Sequence, residues 1–242
     1  MNFFVDKNQI HENKIDIIGT DVNHIKNVLR KEVGDELNIV SENKEYISKI
    51  ISLDQDKIEC EILKEIENED NGPKITIFQG LAKADKIEYI IQKCSEIGAT
   101  SLVPTEMKRC VVKLDSKDKA KKLERWQKIA EVAAKQSLRF DILKVEEVQK
   151  IEDVAKRLSE FDLSIVAYEN EKETSLKKVL KDVNNSNLKI AVIIGPEGGL
   201  EMQEVELLQN NGAKVVTLGK RILRTETAPI VICSNIMYEL DN

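Results

Sequence analysis

The stretch Ile193-Ile-Gly-Pro-Glu-Gly-Gly-Leu200 leaves an apolar run and enters a helical pattern. Its glycines permit positive φ and close backbone approach to a ligand at the C-terminal end of a strand. A second stretch, Leu218-Gly-Lys-Arg-Ile-Leu-Arg-Thr-Glu-Thr-Ala-Pro229, repeats the order of strand, glycine, loop and helix. Thr225 or Thr227 is placed to cap the final helix, with Pro229 in its first turn. Half of the 10 glycines (Gly195, Gly198, Gly199, Gly212, Gly219) fall between residues 195 and 229, so a glycine-poor chain concentrates its conformational freedom there. Neither run is the G-x-G-x-x-G dinucleotide fingerprint or a phosphate loop ending in Lys-Ser/Thr, which argues against a nucleotide-diphosphate site. The two runs read either as plain strand-to-helix turns or as two walls of one pocket. In the second case Ile222 and Leu223 lie against a flat ring and backbone groups meet its edge.

Outward from these runs, everything after Lys74 alternates apolar stretches with amphipathic ones, the pattern of an α/β domain with a mainly parallel sheet. Strands are expected at Ile75–Leu81, at Leu102–Val103 before Pro104, and at Leu163–Ala167, Ile190–Ile194 and Val215–Leu218. Helices are expected at Ala84–Ile97 with Gly98 as C-cap, at about Lys119–Gln136, near Leu176–Val183 and Glu201–Asn210, and from Ala228 to Leu240. Trp126 reads as a core anchor. The first 66 residues differ: β-branched runs at Phe3–Val5, Ile15–Ile18, Glu36–Val40, Tyr46–Ile51 and Lys57–Leu63 predict a small antiparallel barrel or sandwich. One helix interrupts them, Asp21–Arg30, with Thr20 as N-cap and Val22, Ile25, Val28 and Leu29 on one face. The acidic run Glu65-Ile-Glu-Asn-Glu-Asp-Asn-Gly-Pro73 marks a boundary between domains at residues 1–70 and 74–242.

Composition removes several functional classes. A third of the 242 residues are charged, and no apolar run approaches the roughly 18 to 20 residues of a membrane span. The start Met1-Asn-Phe-Phe-Val lacks a basic n-region, so no signal peptide is expected and the chain reads as cytoplasmic. Cys60, Cys94, Cys110 and Cys233 are not in C-x-x-C spacing and only His11 and His24 accompany them, which predicts reduced thiols and no metal centre. The net charge of −6 is an average over unlike parts. Residues 1–72 carry −8, whereas residues 108–139 carry 11 Lys+Arg against 4 Asp+Glu, a balance of +7. That basic segment reads either as a solvated helix face or as the footprint of a phosphate backbone.

Together, and in this order, the two glycine runs resemble the SPOUT superfamily of methyltransferases, and more narrowly the RsmE family, which methylates N3 of a uridine in 16S ribosomal RNA. His24-Ile-Lys-Asn-Val-Leu-Arg30, Lys83-Ala-Asp-Lys-Ile-Glu88, Lys93-Cys-Ser-Glu-Ile-Gly98 and Arg125-Trp126 through Ala134-Lys-Gln-Ser137 fit the same family. One departure is Leu138, where the family has Gly; no Pro follows Arg139, and Leu143 closes that altered stretch.

The resemblance implies a PUA-like β-barrel at the N-terminus and a trefoil-knotted α/β domain that binds S-adenosylmethionine, in a homodimer acting on 16S rRNA or the small subunit. It places the donor against Gly195, Pro196, Glu197, Gly198, Gly199, Leu218, Gly219, Ile222, Leu223, Arg224, Thr225 and Glu226. RNA contacts are expected at Arg30, Lys83, Arg109, Lys121, Lys122, Arg125 and Arg139. Arg224 is the expected stabiliser of charge on the uracil, and Glu226 or Glu197 either the base or a structural carboxylate. Ribose 2′-O methylation and a non-catalytic ribosome-binding role are the alternatives.

Overall fold

A computed structural model describes residues 1–68, 72–183 and 185–240. The chain forms two compact units, Met1–Asp70 with Ala134–Asp141, and Asn71–Ala133 with Ile142–Asn242. Residues 134–141 therefore cluster with the N-terminal segment, although their position in the chain assigned them to the second domain. The centre of the expected linker, residues 69–71, lies outside the described residues.

The first unit holds β1 (Asn2–Phe4), β2 (Ile10–His11), β3 (Lys14–Ile18), α1 (Thr20–Asn23), β4 (Glu36–Ser41), β5 (Lys44–Leu53) and β6 (Lys57–Glu67). The strands form one sheet in the order β1-β4-β5-β6-β3-β2, antiparallel except for β1 beside β4. Two register shifts in the β5–β6 ladder, at Ile47/Ser48 and Ile50/Ser52, bend the long strands, as bulges do. The inner face buries Phe3, Ile15, Ile17, Ile39, Ile50 and Ile58.

The helix expected over Asp21–Arg30 is shorter and differently wound. Gly19, not Thr20, is the N-cap, and no side chain caps the end. Past Asn23 the turn widens to π-type spacing over His24–Val28, closed by Leu29 N–H to His24 O at 2.9 Å. Five-residue spacing rotates the following side chains off the buried stripe: Val22 and Ile25 stay buried, whereas Val28 is 61% exposed and Leu29 is also exposed. Residues 134–141 are fastened by Asn2 Nδ2 donating to Arg139 O at 3.0 Å and by Lys135 Nζ at 2.6 Å from Asp21 Oδ1.

The second unit contains β7 (Lys74–Gly80), α2 (Ala84–Ile97), β8 (Ser101–Glu106), α3 (Ser116–Gln136, its last turn counted with the first unit), β9 (Lys144–Val145), β10 (Gln149–Lys150) and α4 (Ile151–Arg157). It continues with β11 (Leu163–Ala167), α5 (Leu176–Lys181), β12 (Lys189–Ile194), α6 (Met202–Asn210), β13 (Lys214–Val216) and α7 (Ala228–Leu240). The sheet runs β10-β8-β7-β12-β11-β13, with β9 also on β8, and every pair is parallel. Strands β7, β8, β11 and β12 are buried on both faces, as parallel strands covered by helices must be. Ile75, Ile77, Ile190, Val192 and Ile165 pack with α2, α7 and Trp126 of α3. Phe78, Ala191, Ile193 and Val166 face α4 and α6 on the other side.

β8 runs through Pro104, before which the sequence pattern predicts its end. Pro104 stands opposite Gln79 on one side. On the other it falls between the residues paired by β9, Ser101 and Leu102, and those paired by β10, Thr105 and Glu106. Pro104 thus falls where the edge ladder has a gap.

Candidate functional site

A parallel sheet collects the C-terminal ends of its strands along one rim, and ligand crevices form there. A pocket of about 750 Å³ lies at the ends of β11, β12 and β13. Its walls are the loop Gly195–Gly199 after β12, the loop 217–225 after β13, and Ala167 at the end of β11 with Tyr168, Glu169, Glu171 and Lys172 after it. Of the residues expected to touch a ligand, Gly195, Pro196, Glu197, Gly198, Gly199, Leu218, Gly219, Ile222, Leu223, Arg224 and Thr225 all line it. Glu226 does not. The third wall was not anticipated, although the end of the expected strand Leu163–Ala167, followed by a polar run, was the available signal.

The first loop is shaped by close approach. Gly199 has φ +71, its N–H bonds Pro196 O at 2.9 Å, and a Cβ there would strike the Glu169 carboxylate. At the end of β7 a Cβ on Gly80 would stand 2.5 Å from Pro196 N, so this glycine lets β7 and the loop touch. The second loop is tied to the first through Thr225, which is buried and does not serve as a helix cap. Its Oγ1 donates to Gly195 O at 2.7 Å and accepts from Gln79 Nε2 at 2.9 Å. The hydroxyl is consumed in joining the loops, and α7 begins instead with Ala228 N–H on Arg224 O at 3.0 Å. Gln79 is fully buried within an apolar strand, where nothing in the sequence singled it out.

The charged groups sort into an inner cluster and an outer arginine. Glu197 Oε1 accepts the Lys83 N–H at 3.2 Å and lies 3.5 Å from Lys86 Nζ. Burial pushes the Glu197 carboxyl up, but hydrogen bonds from its own N–H and that of Lys83, with Lys86 beside it, outweigh burial and hold it below the ordinary range. A carboxyl held ionised in this way is a weak base. Lys86 Nζ also lies 3.3 Å from Glu226 Oε2, a buried oxygen with no hydrogen bond among the described residues. Glu226 is thus engaged by an ammonium behind the pocket. Arg224 is different: its side chain is 83% exposed at the pocket wall, with Nη1 only within 3.9 Å of Glu226 Oε1.

The expected RNA contacts are dispersed. Arg109 Nη1 donates to Gly198 O at 3.1 Å, so this residue braces the first loop. Arg125 is paired with Glu88 at 2.8 Å, and Lys122 Nζ sits 5.9 Å from the centre of the Trp126 ring. Lys83 and Lys121 are exposed. Arg139 does not form an open contact surface: its side chain is 11% exposed and bonds Asp141 at 2.7 Å. Arg30, in the first unit, is exposed and adopts φ +54. Lys119, Lys128 and Lys135 are also paired, with Glu106, Glu124 and Asp21. The outward charge of the basic segment is therefore carried by Lys108, Lys113, Lys117 and Lys121, exposed and in no ion pair among the described residues. Among those residues no group of three or more His, Cys, Asp or Glu is placed to hold a metal, and no helix is long and apolar enough to cross a membrane.

Two family models match the chain: an RNA methyltransferase domain over residues 69–237 and an RNA methyltransferase PUA domain over residues 17–63. The chain is 39% identical to the ribosomal RNA small subunit methyltransferase E of Bacillus subtilis, over 97% of this chain and 94% of that one. A crystal structure of the ribosomal RNA small subunit methyltransferase E of Neisseria gonorrhoeae bound to S-adenosyl methionine superposes with a TM-score of 0.85. The identity is 29%, covering 98% of this chain and 96% of that one. A methyltransferase from Legionella pneumophila, solved in complex with bound SAM, gives the same TM-score at 26% identity, again over 98% and 96%.

Proposed function

The chain belongs to the RNA methyltransferase family, with the small subunit methyltransferase E proteins, and on that premise we propose that it transfers a methyl group from S-adenosylmethionine to N3 of a uridine in 16S ribosomal RNA. The observation that carries the reading is a pocket walled by two glycine-bearing loops, with Arg224 exposed at its wall and, among the described residues, paired only with a carboxylate 3.9 Å away.

The pocket suits the donor. Its volume is that of a small-molecule site, Ile194, Leu218, Ile222 and Leu223 offer apolar faces to a flat ring, and Glu169 and Glu171 offer acceptors to hydroxyl and ammonium groups. S-adenosylmethionine supplies a methyl group on a positively charged sulfur, already strongly electrophilic. The chain's own task concerns the acceptor. Uridine N3 carries a proton and is a poor nucleophile while neutral, so that proton passes to solvent water, and as N3 bonds the methyl carbon the C–S bond breaks with its electron pair staying on the sulfur of the neutral thioether product. The Arg224 guanidinium, set beside O2 or O4, stabilises the negative charge that develops on the imide. Glu197, held ionised below the ordinary range, and Glu226, engaged by Lys86, are better suited to positioning than to taking the proton. Because N3 is normally occupied in base pairing, the target base is unpaired or turned out of its stack.

The same reading takes the chain as a cytoplasmic homodimer with a C-terminal trefoil knot. It assigns Lys113, Lys117 and Lys121 to the phosphate backbone. The test is whether small-subunit RNA from cells lacking this protein misses one 3-methyluridine, and whether adding protein and donor restores it. RNA that keeps its full complement of 3-methyluridine refutes the proposal.

A further inference from the structure

Lys86 belongs to the segment Lys83–Glu88 and stands where the two pocket loops meet. Its Nζ lies 3.5 Å from Glu197 Oε1 on the first loop and 3.3 Å from Glu226 Oε2 on the second. The Lys86 side chain is 25% exposed, Glu197 25% and Glu226 18%, so these charges are shielded from water and depend on one another. Glu226 Oε2 is buried with no hydrogen-bond donor among the described residues, which leaves the Lys86 ammonium as its compensation. Among the described residues the other cation within 4 Å of Glu226 is Arg224, at 3.9 Å and 83% exposed. An ion pair so exposed is weak and readily given up to a substrate.

We propose that Lys86 is a positioning residue for methyl transfer: by engaging Glu226 and Glu197 it keeps Glu226 from capturing the Arg224 guanidinium, which stays turned toward the substrate. This inference rests on the methyltransferase reading and adds how Arg224 is kept available. Without Lys86, Glu226 is a poorly hydrated carboxylate with a single cation in reach. An uncompensated buried charge of that kind is costly enough to draw the flexible arginine inward. Arg224 then serves its neighbour in place of the uracil. Glutamine at position 226 removes the attraction, so losing Lys86 matters far less in that background.

The experiment uses the full-length chain and compares Lys86→Met, Lys86→Arg and the double variant Lys86→Met/Glu226→Gln. Three quantities are read: turnover at saturating donor and RNA, S-adenosylmethionine affinity by calorimetry, and the thermal midpoint. Lys86→Met is expected to lower kcat on the order of a hundredfold, the scale of a misplaced catalytic group, with donor affinity changed no more than a few-fold. Lys86→Arg keeps the charge and most of the turnover, and the double variant turns over faster than Lys86→Met. If Lys86→Met is unfolded at the assay temperature, Lys86→Gln takes its place. Unchanged turnover in Lys86→Met overturns the inference. So does a double variant no faster than the single one, or a loss of donor affinity in proportion to kcat. A wild-type chain that neither binds the donor nor methylates RNA refutes the methyltransferase reading itself, an outcome distinct from all of these.

Discussion

Thr225 Oγ1 donates to Gly195 O at 2.7 Å, and this one bond joins two loops that are thirty residues apart in the chain. The pocket between them is held open in part by a buried hydroxyl. Thr225→Val keeps the shape and removes the donor, leaving Gly195 O without it and Gln79 Nε2 without its acceptor on Thr225. The expected loss is about 1–3 kcal/mol in urea unfolding, accompanied by weaker donor binding. Thr225→Ser restores the hydroxyl and should restore both. A valine variant with wild-type stability and affinity would show that the bond holds nothing together.

Arg224→Ala should separate binding from chemistry. The side chain is 83% exposed and bonds no loop backbone among the described residues, so donor affinity measured by calorimetry stays near wild type. Methyl incorporation falls about 10² to 10³-fold, the usual cost of deleting one charge-stabilising donor. Unimpaired transfer removes Arg224 from the mechanism.

Leu138 occupies a conformation made for glycine. α3 ends with Arg139 N–H bonded to Ala134 O at 3.1 Å, and Leu138 between them has φ +60. This is a helix stop that usually places Gly at the left-handed residue. An L side chain there costs roughly 1–2 kcal/mol, and Leu138 is half exposed, so little packing is lost on its removal. Leu138→Gly is expected to raise stability by on the order of 1 kcal/mol, a shift of about 2–4 °C in Tm. A lower midpoint in that variant means that the leucine side chain matters more than its backbone strain.

Reversing Lys113, Lys117 and Lys121 to Glu should weaken RNA binding and flatten its salt dependence by about one unit of slope for each phosphate no longer neutralised. These lysines are exposed and without ion pairs among the described residues, whereas Arg125 and Lys128 are already spoken for. An unchanged slope makes the segment a solvated face.

The Glu197 carboxyl fixes the sign of a pH effect. Burial raises it, but its own N–H, the Lys83 N–H and Lys86 lower it further, so the folded state holds it below the ordinary glutamate value. The stability it contributes is fully present above that ordinary value. It is lost as pH falls through the lowered one. Melting curves of wild type and Glu197→Gln between neutral and acidic pH should therefore converge on acidification; divergence would contradict the assignment.

The sequence pattern carried the sheet well where a short apolar run stands between polar segments. Ile190–Ile194 is buried throughout, with Ile190, Val192 and Ile194 on one face and Ala191 and Ile193 on the other. Gly98 ended α2 where expected, and Trp126 is buried in the core. Elements set by tertiary context were not legible. β9 and β10 are two-residue strands with no periodicity of their own, and α4 is a short helix with nothing to distinguish it from a loop. Within the site, glycine concentration pointed to two walls, because backbone approach leaves a compositional trace. Gln79 and Glu169 left none: one is a polar residue inside an apolar strand, and the other acts through a neighbour thirty residues away, Gly199. The widened turn at His24–Val28 preserved its helical spacing in sequence and lost it in space.

The strand order has a consequence for how this protein is made. β7 finds β8 soon after both leave the ribosome, but its other edge is closed only by β12, and the pocket is complete only once Thr225 has reached Gly195. A nascent chain holding residues 72–183 therefore exposes the edge of β7, with Ile75, Ile77 and Phe78 in it, and lacks two of the three walls of the pocket. Such non-local pairing is slow, and an open apolar edge is where aggregation competes with folding. Yield during synthesis, and its dependence on chaperones, is thus governed by how quickly the last fifty or so residues follow the first strands of the sheet.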